Sequence, residues 1–332
     1  MTVSSLRLFV FASAIATALP IPAAAAGRQR AEGSFEKTLT VGERPDIEIE
    51  SGSGSIEVRQ GSTGRIEVRG RIRVSNWGWR SGRLSPEERV KRLEANPPIV
   101  QNGNTVRIGH IAEEELRNGV SVSYEVIVPA ASGLRSRTGS GSQHIEGVSG
   151  PVEASSGSGS IALSNSGGRV KANTGSGGIT AHTIGGGFDA SSGSGSITGT
   201  GINGAIKAHS SSGTIELTQT AAGDVEASSS SGGLRLRGIN GGVRASTSSG
   251  GLNIEGQMAR EWRLSSSSGR VTIDVPSTQG LQVDANSGSG GIDVDFPVTV
   301  SGTIGRHTLR GSVRGGGPLL HVRTSSGGIS IR

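Results

Sequence analysis

One short segment of the chain concentrates side chains suited to recognition: Asn76-Trp77-Gly78-Trp79-Arg80, with Arg83 close behind, holds two of the three tryptophans. An indole face stacks on sugar rings or peptide groups, and a guanidinium offers a planar fork to carboxylate or phosphate. The segment follows a strand pattern and precedes a helix signal, so it is expected to be a loop, where binding residues concentrate. Trp77, Trp79, Arg80 and Arg83 are therefore the candidate binding residues. An alternative stays open, in which the indoles fold back onto Val90 and Leu93 and seal a small cap that needs large apolar residues for its core.

No other constellation supports chemistry. The six histidines, His110, His144, His182, His209, His307 and His321, lack the paired spacing of a zinc site. Asp293 and Asp295 are an isolated pair, too few oxygens for calcium, and glycine stands where a calcium-binding β-roll needs aspartate. The glycine-rich stretches contain no G-x-x-x-x-G-K-[ST], and no G-x-S-x-G supplies a serine nucleophile. Neither a catalytic residue, a metal ligand nor a cofactor is expected.

The elements that would carry any site are set by an internal repeat. Composition alone, 56 glycines and 11 prolines in 332 residues with 3% aromatics, approaches the low-complexity class. Period decides otherwise. VEASSGSGSI from Val152, VKANTGSGGI from Val170, FDASSGSGSI from Phe188 and IKAHSSSGTI from Ile206 follow one another at 18 residues. Further copies begin at Val225, Val243, Trp262 and Val283, with outliers at Ile47, Leu134 and Leu320. Each copy has two positions nine apart, apolar in every case except Gln143 of the Leu134 copy, each opening a short period-two segment that reads as a half-buried strand. Glycine stands seven residues after the first apolar position in every copy, which suggests a turn residue of positive φ. The expected fold is an all-β, single-stranded parallel β-helix or solenoid, about ten rungs of 18 to 21 residues each folded strand-turn-strand-turn.

The residue after the first apolar position points outward, and down the stack, with the copies expected to follow one another in sequence, it runs Arg135, Glu153, Lys171, Asp189, Lys207, Glu226, Arg244, Arg263, Asp284, alternating in sign over the first seven. Opposite charges on adjacent strands stabilise the pairing, and a slip of one rung would bring like charges together, so the ladder reads as register control.

Ahead of the main repeats, Ser85-Pro86-Glu87-Glu88 is an N-cap, helix-start and capping-box signature, giving a helix over 86–95. Ile99–Gln101 and Thr105–His110 flank Asn102-Gly103 as a hairpin, and Val120–Val128 is another strand. The expected organisation is a signal peptide over 1–26, N-terminal strands and a cap over 27–132, and a continuous β-solenoid over 133–332. Arg7, the apolar run from Leu8 to Leu19 and Ala23–Ala26 have the order of a secretory signal, with an apolar run too short to span a bilayer. With no cysteine and no later apolar run, the mature chain is expected to be extracytoplasmic, periplasmic or at the cell surface, without a transmembrane segment.

The segments NGNTVRIGH, SVSYEVIVPA, the repeated SGSGSI units and GGGPLLHVRTSSGGISIR resemble the bacterial putative-adhesin family from about Thr40 to Arg332. That resemblance implies a secreted β-solenoid and brings no catalytic residues with it. The expected function is a non-enzymatic, adhesin-like binding or envelope-associated scaffold protein. Its partner would be an envelope, cell-surface or glycan component, and not nucleic acid, since the net charge of +6 forms no basic block. The competing expectation is a β-helix polysaccharide lyase or hydrolase, which would need clustered carboxylates or basic groups on one sheet face.

Overall fold

The computed structural model describes residues 31–75, 84–300 and 305–332, so the expected signal peptide and the Trp77–Arg83 segment lie outside the described residues. The architecture is a parallel β-solenoid. In the first sheet Val152–Ser156 pairs in register with Val170–Thr174, that strand with Phe188–Ser192, and so on rung by rung. In the second sheet Ile161–Ser166, Ile179–Ile184, Ile197–Ile202 and Ile215–Gln219 repeat the arrangement. The strands of these rungs alternate buried residues with more exposed ones, as a strand with one face on a core must.

The core is the narrow space between the sheets. The first-position column, including Val152, Val170, Phe188, Ile206, Val225 and Val243, is buried throughout. Next to it runs Ala154, Ala172, Ala190, Ala208, Ala227 and Ala245. Small alanines on one sheet admit the larger Ile161, Leu163, Ile215, Leu217 and Leu236 of the other. Each fully buried Val, Leu or Ile contributes about 1.5–3 kcal/mol, and the repeat supplies such residues at every rung. Trp262, the third tryptophan, fills one first-position site completely, with its indole N–H donating to the Gly241 carbonyl at 2.9 Å.

The repeated turn glycines do not have the expected positive φ. None of Gly54, Gly141, Gly159, Gly177, Gly195, Gly213 or Gly232 is among the residues with positive φ. Their restriction comes from stacking: a Cβ on Gly195 would lie 2.0 Å from the carbonyl oxygen of Gly177, its counterpart one rung back. The same turn holds a buried hydroxyl three residues before each glycine. Ser229 Oγ donates to Gly213 O at 3.0 Å and accepts from Gly232 N–H at 2.9 Å. Thr174, Ser192, Ser210 and Thr247 repeat both bonds, giving one hydrogen-bonded column along the stack.

Both ends of the stack are closed by elaborations of the chain. The first rung, Asp46–Ser51 and Ile56–Gly61, stacks directly on Gly133–Thr138 and Gln143–Glu146. The intervening residues cover its outer side. Thr105–Ile108 of the hairpin pairs with Asp46–Ser51, and Val120–Pro129 pairs with Ile56–Gly61. Antiparallel Arg65–Val74 and Ala31–Thr40 extend the second sheet, the latter a strand not read from the sequence. The helix Pro86–Ala95 has the expected Ser85 cap and reciprocal Glu88 bond, and buries Val90 and Leu93.

At the other end the rungs do not follow chain order. Leu319–Thr324 and Ile329–Ile331 are inserted between the Trp262 rung and the Val283 rung. The stack therefore ends on Leu281–Ser287 and Ile292–Val294, with antiparallel Thr308–Val313 lying outside the former. This corrects the expectation of copies stacked in sequence. Among the described residues no helix is long and apolar enough to cross a membrane.

Candidate binding face

Because the first sheet is in strict register, its outward residues form straight rows. The row after the first apolar position is longer than chain order suggested. It runs Arg107, Glu48, Arg135, Glu153, Lys171, Asp189, Lys207, Glu226, Arg244, Arg263, His321, Asp284, Arg310. Signs alternate without interruption from Arg107 to Arg244. Ion pairs join several neighbours: Arg107 Nε to Glu48 at 3.3 Å, Arg135 Nε to Glu153 at 3.2 Å and Lys207 Nζ to Glu226 at 3.5 Å. The lysine and arginine side chains of these three pairs are more than half exposed, so each pair contributes at most about 1 kcal/mol. Their collective effect is on register.

Beside this row, where the return turn enters the sheet, lies a shallow groove. One stretch, of ≈ 570 Å³, runs from Arg169 to Arg263 over a floor that includes Ala205, Ile206, Gly242 and Val243. A second, of ≈ 520 Å³, runs from Arg107 and Thr105 to Lys171. Both are lined by Arg169, so the two stretches lie end to end along the stack. At about 4.8 Å per rung it spans roughly 40 Å, the scale of an extended polymer. On the other side of the charged row runs a parallel row of polar groups, Ser155, Asn173, Ser191, His209 and Ser228, with His209 Nδ1 and Ser228 Oγ 2.9 Å apart.

The remaining candidates fall out as follows. Trp77, Trp79, Arg80 and Arg83 lie outside the described residues. His182 shares a 2.6 Å bond with Thr200, and His321 Nδ1 stands 3.2 Å from Asp284. Among the described residues no three His, Asp or Glu side chains gather as a metal site. Asp293 and Asp295 lie at the far end of the second sheet, with Arg332 Nε 3.9 Å from Asp295. Sequence reasoning missed the groove, because its rim residues come from the return turns as well as the ladder.

The geometry defines a parallel β-solenoid with one ordered, charged face. The chain belongs to the Toastrack DUF4097 family, whose model matches residues 44–332. No curated protein matches it. Among solved structures it is similar to a "putative cell adhesion protein" from Clostridium sporogenes, at 12% identity and a TM-score of 0.20, covering 90% of this chain and 99% of that one. A "putative adhesin" from Bacteroides fragilis is similar at 11% identity and a TM-score of 0.34, covering 90% and 97%.

Proposed function

We propose that this chain is an extracytoplasmic, non-enzymatic β-solenoid, an adhesin-like binding or envelope-associated scaffold protein that holds an extended partner along its charged groove. The observation that carries this reading is that each stretch of the groove runs over several successive rungs, which suits a polymer better than a compact substrate. Its acids favour binding over hydrolysis. Glu48, Glu153 and Glu226 each face a cation on a neighbouring strand, whereas glycosidase chemistry needs two carboxyl groups facing each other across the scissile bond. Trp77, Trp79, Arg80 and Arg83 belong to the same proposal as a second contact, in the segment of sequence ahead of the capped helix.

The test is retention of envelope and glycan fractions by the purified chain, compared with a Lys171→Gln/Lys207→Gln variant. Retention by the wild type and its loss in a variant of equal melting temperature supports the reading. Equal retention by the two would overturn the groove as the binding face. Release of reducing ends or unsaturated sugars from any fraction would favour the polysaccharide-active alternative.

A further inference from the structure

The charge ladder is broken at one place. Arg244 and Arg263 stand directly opposite each other on neighbouring strands, and His321 follows Arg263. Like charges so placed are destabilising, and register control cannot explain them. Violations of local consistency in an otherwise regular fold mark functional positions.

Two further features coincide with the break. Between the pairs Gly241–Met258 and Val243–Trp262, Ala259, Arg260 and Glu261 stand against the single Gly242, a bulge of the kind that re-aims side chains. The bulge turns Arg260 across the missing side chain of Gly242, so that its Nη2 lies 2.8 Å from Asp224 two rungs back. Three arginines thus line one end of the groove, Arg260 paired with Asp224 and Arg263 with Glu261. This end of the groove already accepts a carboxylate: Glu261 lies 2.8 Å from Arg263 Nε. The neighbours hold its carboxyl below the usual carboxylate range, first by the Arg263 hydrogen bond and then by the charges of Arg263, His321 and Arg244, against a smaller opposing effect of burial.

We infer that Arg244, Arg260 and Arg263 form a subsite for a carboxylate carried on an acidic polysaccharide that lies along the groove. This rests on the groove being the binding face. The sugar chain follows from the surroundings: the groove extends unbroken away from the subsite, and the adjacent rim presents Glu226 and Asp189 as acceptors for hydroxyl groups. The neighbouring row offers Ser246, Ser265 and Ser228. A hydroxyl-rich chain with spaced carboxylates satisfies both sets, whereas an uninterrupted polyanion would meet the acids of the ladder.

The experiment measures binding of fluorescent oligogalacturonate by anisotropy, with the fully methyl-esterified chain and inorganic phosphate as controls. The wild type is expected to bind the acid form and not the ester, with phosphate a poor competitor. Arg244→Gln and Arg263→Gln should each weaken binding about tenfold, the scale of one charge-assisted hydrogen bond. A Glu261→Gln/Arg263→Glu variant carries the alternation of sign on to His321 and Asp284, and should lose binding while melting no lower than wild type. If the arginine variants bind like wild type while Lys171→Gln/Lys207→Gln does not, the subsite is overturned and the groove reading stands. Equal binding of acid and ester overturns carboxylate recognition, and full competition by phosphate overturns the sugar chain. No binding of the acid form by the wild type overturns the inference whatever the envelope fractions show.

Discussion

Replacing Ser229 with alanine should damage the stack far more than the loss of one surface-type serine. Ser229 is 5% exposed, and its hydroxyl serves two buried backbone groups, the Gly213 carbonyl at 3.0 Å and the Gly232 N–H at 2.9 Å. Neither has another partner within its turn among the described residues, and the neighbouring Ser230 and Ser231 are exposed. A buried polar group left unsatisfied costs about 1–3 kcal/mol, so the pair should cost roughly 2–5 kcal/mol. Threonine fills the equivalent position at Thr174 and Thr247 with the same two bonds, so Ser229→Thr is the built-in control. Rungs contact only their neighbours, and damage to one should appear first as local opening. Native-state hydrogen exchange should therefore show lost protection at the Gly232 amide and its flanking rungs, accompanied by a lower denaturant midpoint. A Ser229→Ala stability within about 0.5 kcal/mol of wild type, with Gly232 still protected, would refute the hydroxyl column as a source of stability.

Four further outcomes are expected. Gly232→Val places a Cβ 2.0 Å from the Gly213 carbonyl oxygen, an overlap with backbone that should cost at least about 1–3 kcal/mol, read from the denaturation midpoint. Lys207→Glu loses its contact with Glu226 and stands between two acids, so the melting temperature should fall at low salt by the equivalent of about 1 kcal/mol and recover in high salt. Tyr124 is buried with no partner for its hydroxyl among the described residues, and burial pushes its phenol upward. The fold therefore favours the protonated form and loses stability as pH rises past about 10, where the unfolded tyrosine ionises. Tyr124→Phe should be neutral or stabilising at pH 7 and should flatten the alkaline decline in a pH series of melting curves. Double substitution of Trp77 and Trp79 by alanine separates the two roles of that segment: a binding loop loses adhesion at unchanged stability, and a cap core loses several kcal/mol, about 3–5 per buried indole.

The rung pattern was legible because burial imposes period two on every strand and the turns fix the 18-residue spacing, as Val152, Val170, Phe188 and Ile206 show. The capped helix and the Asn102-Gly103 hairpin were legible because their signals are local. The glycines were assigned the wrong cause. Close approach between stacked turns and positive φ select the same residue, and only coordinates distinguish them. The hydroxyl column left a readable trace, a serine or threonine three residues before each glycine, in a chain whose many serines hid it. Insertion of the Leu320 rung ahead of the Val283 rung was not readable, because its residues fit either position. Likewise Ala31–Thr40 pairs only along Arg65–Val74, with few apolar residues to announce it. The groove depends on which side chains the return turns omit, such as that of Gly242, and on the bulge before Trp262.

The alternation of sign along the first sheet also restricts how such a protein can change length. Both ends are closed by segments fitted to particular rungs, so copies can be gained or lost only in the interior of the stack, where neighbouring units are nearly interchangeable. Duplicating one unit there would set two acids or two bases side by side. Duplicating two adjacent units would leave every charge facing its opposite. Lengths among related chains with an intact ladder should therefore differ by pairs of rungs, and a chain differing by one should carry either a compensating charge change or a like-charged neighbour pair such as Arg244 and Arg263.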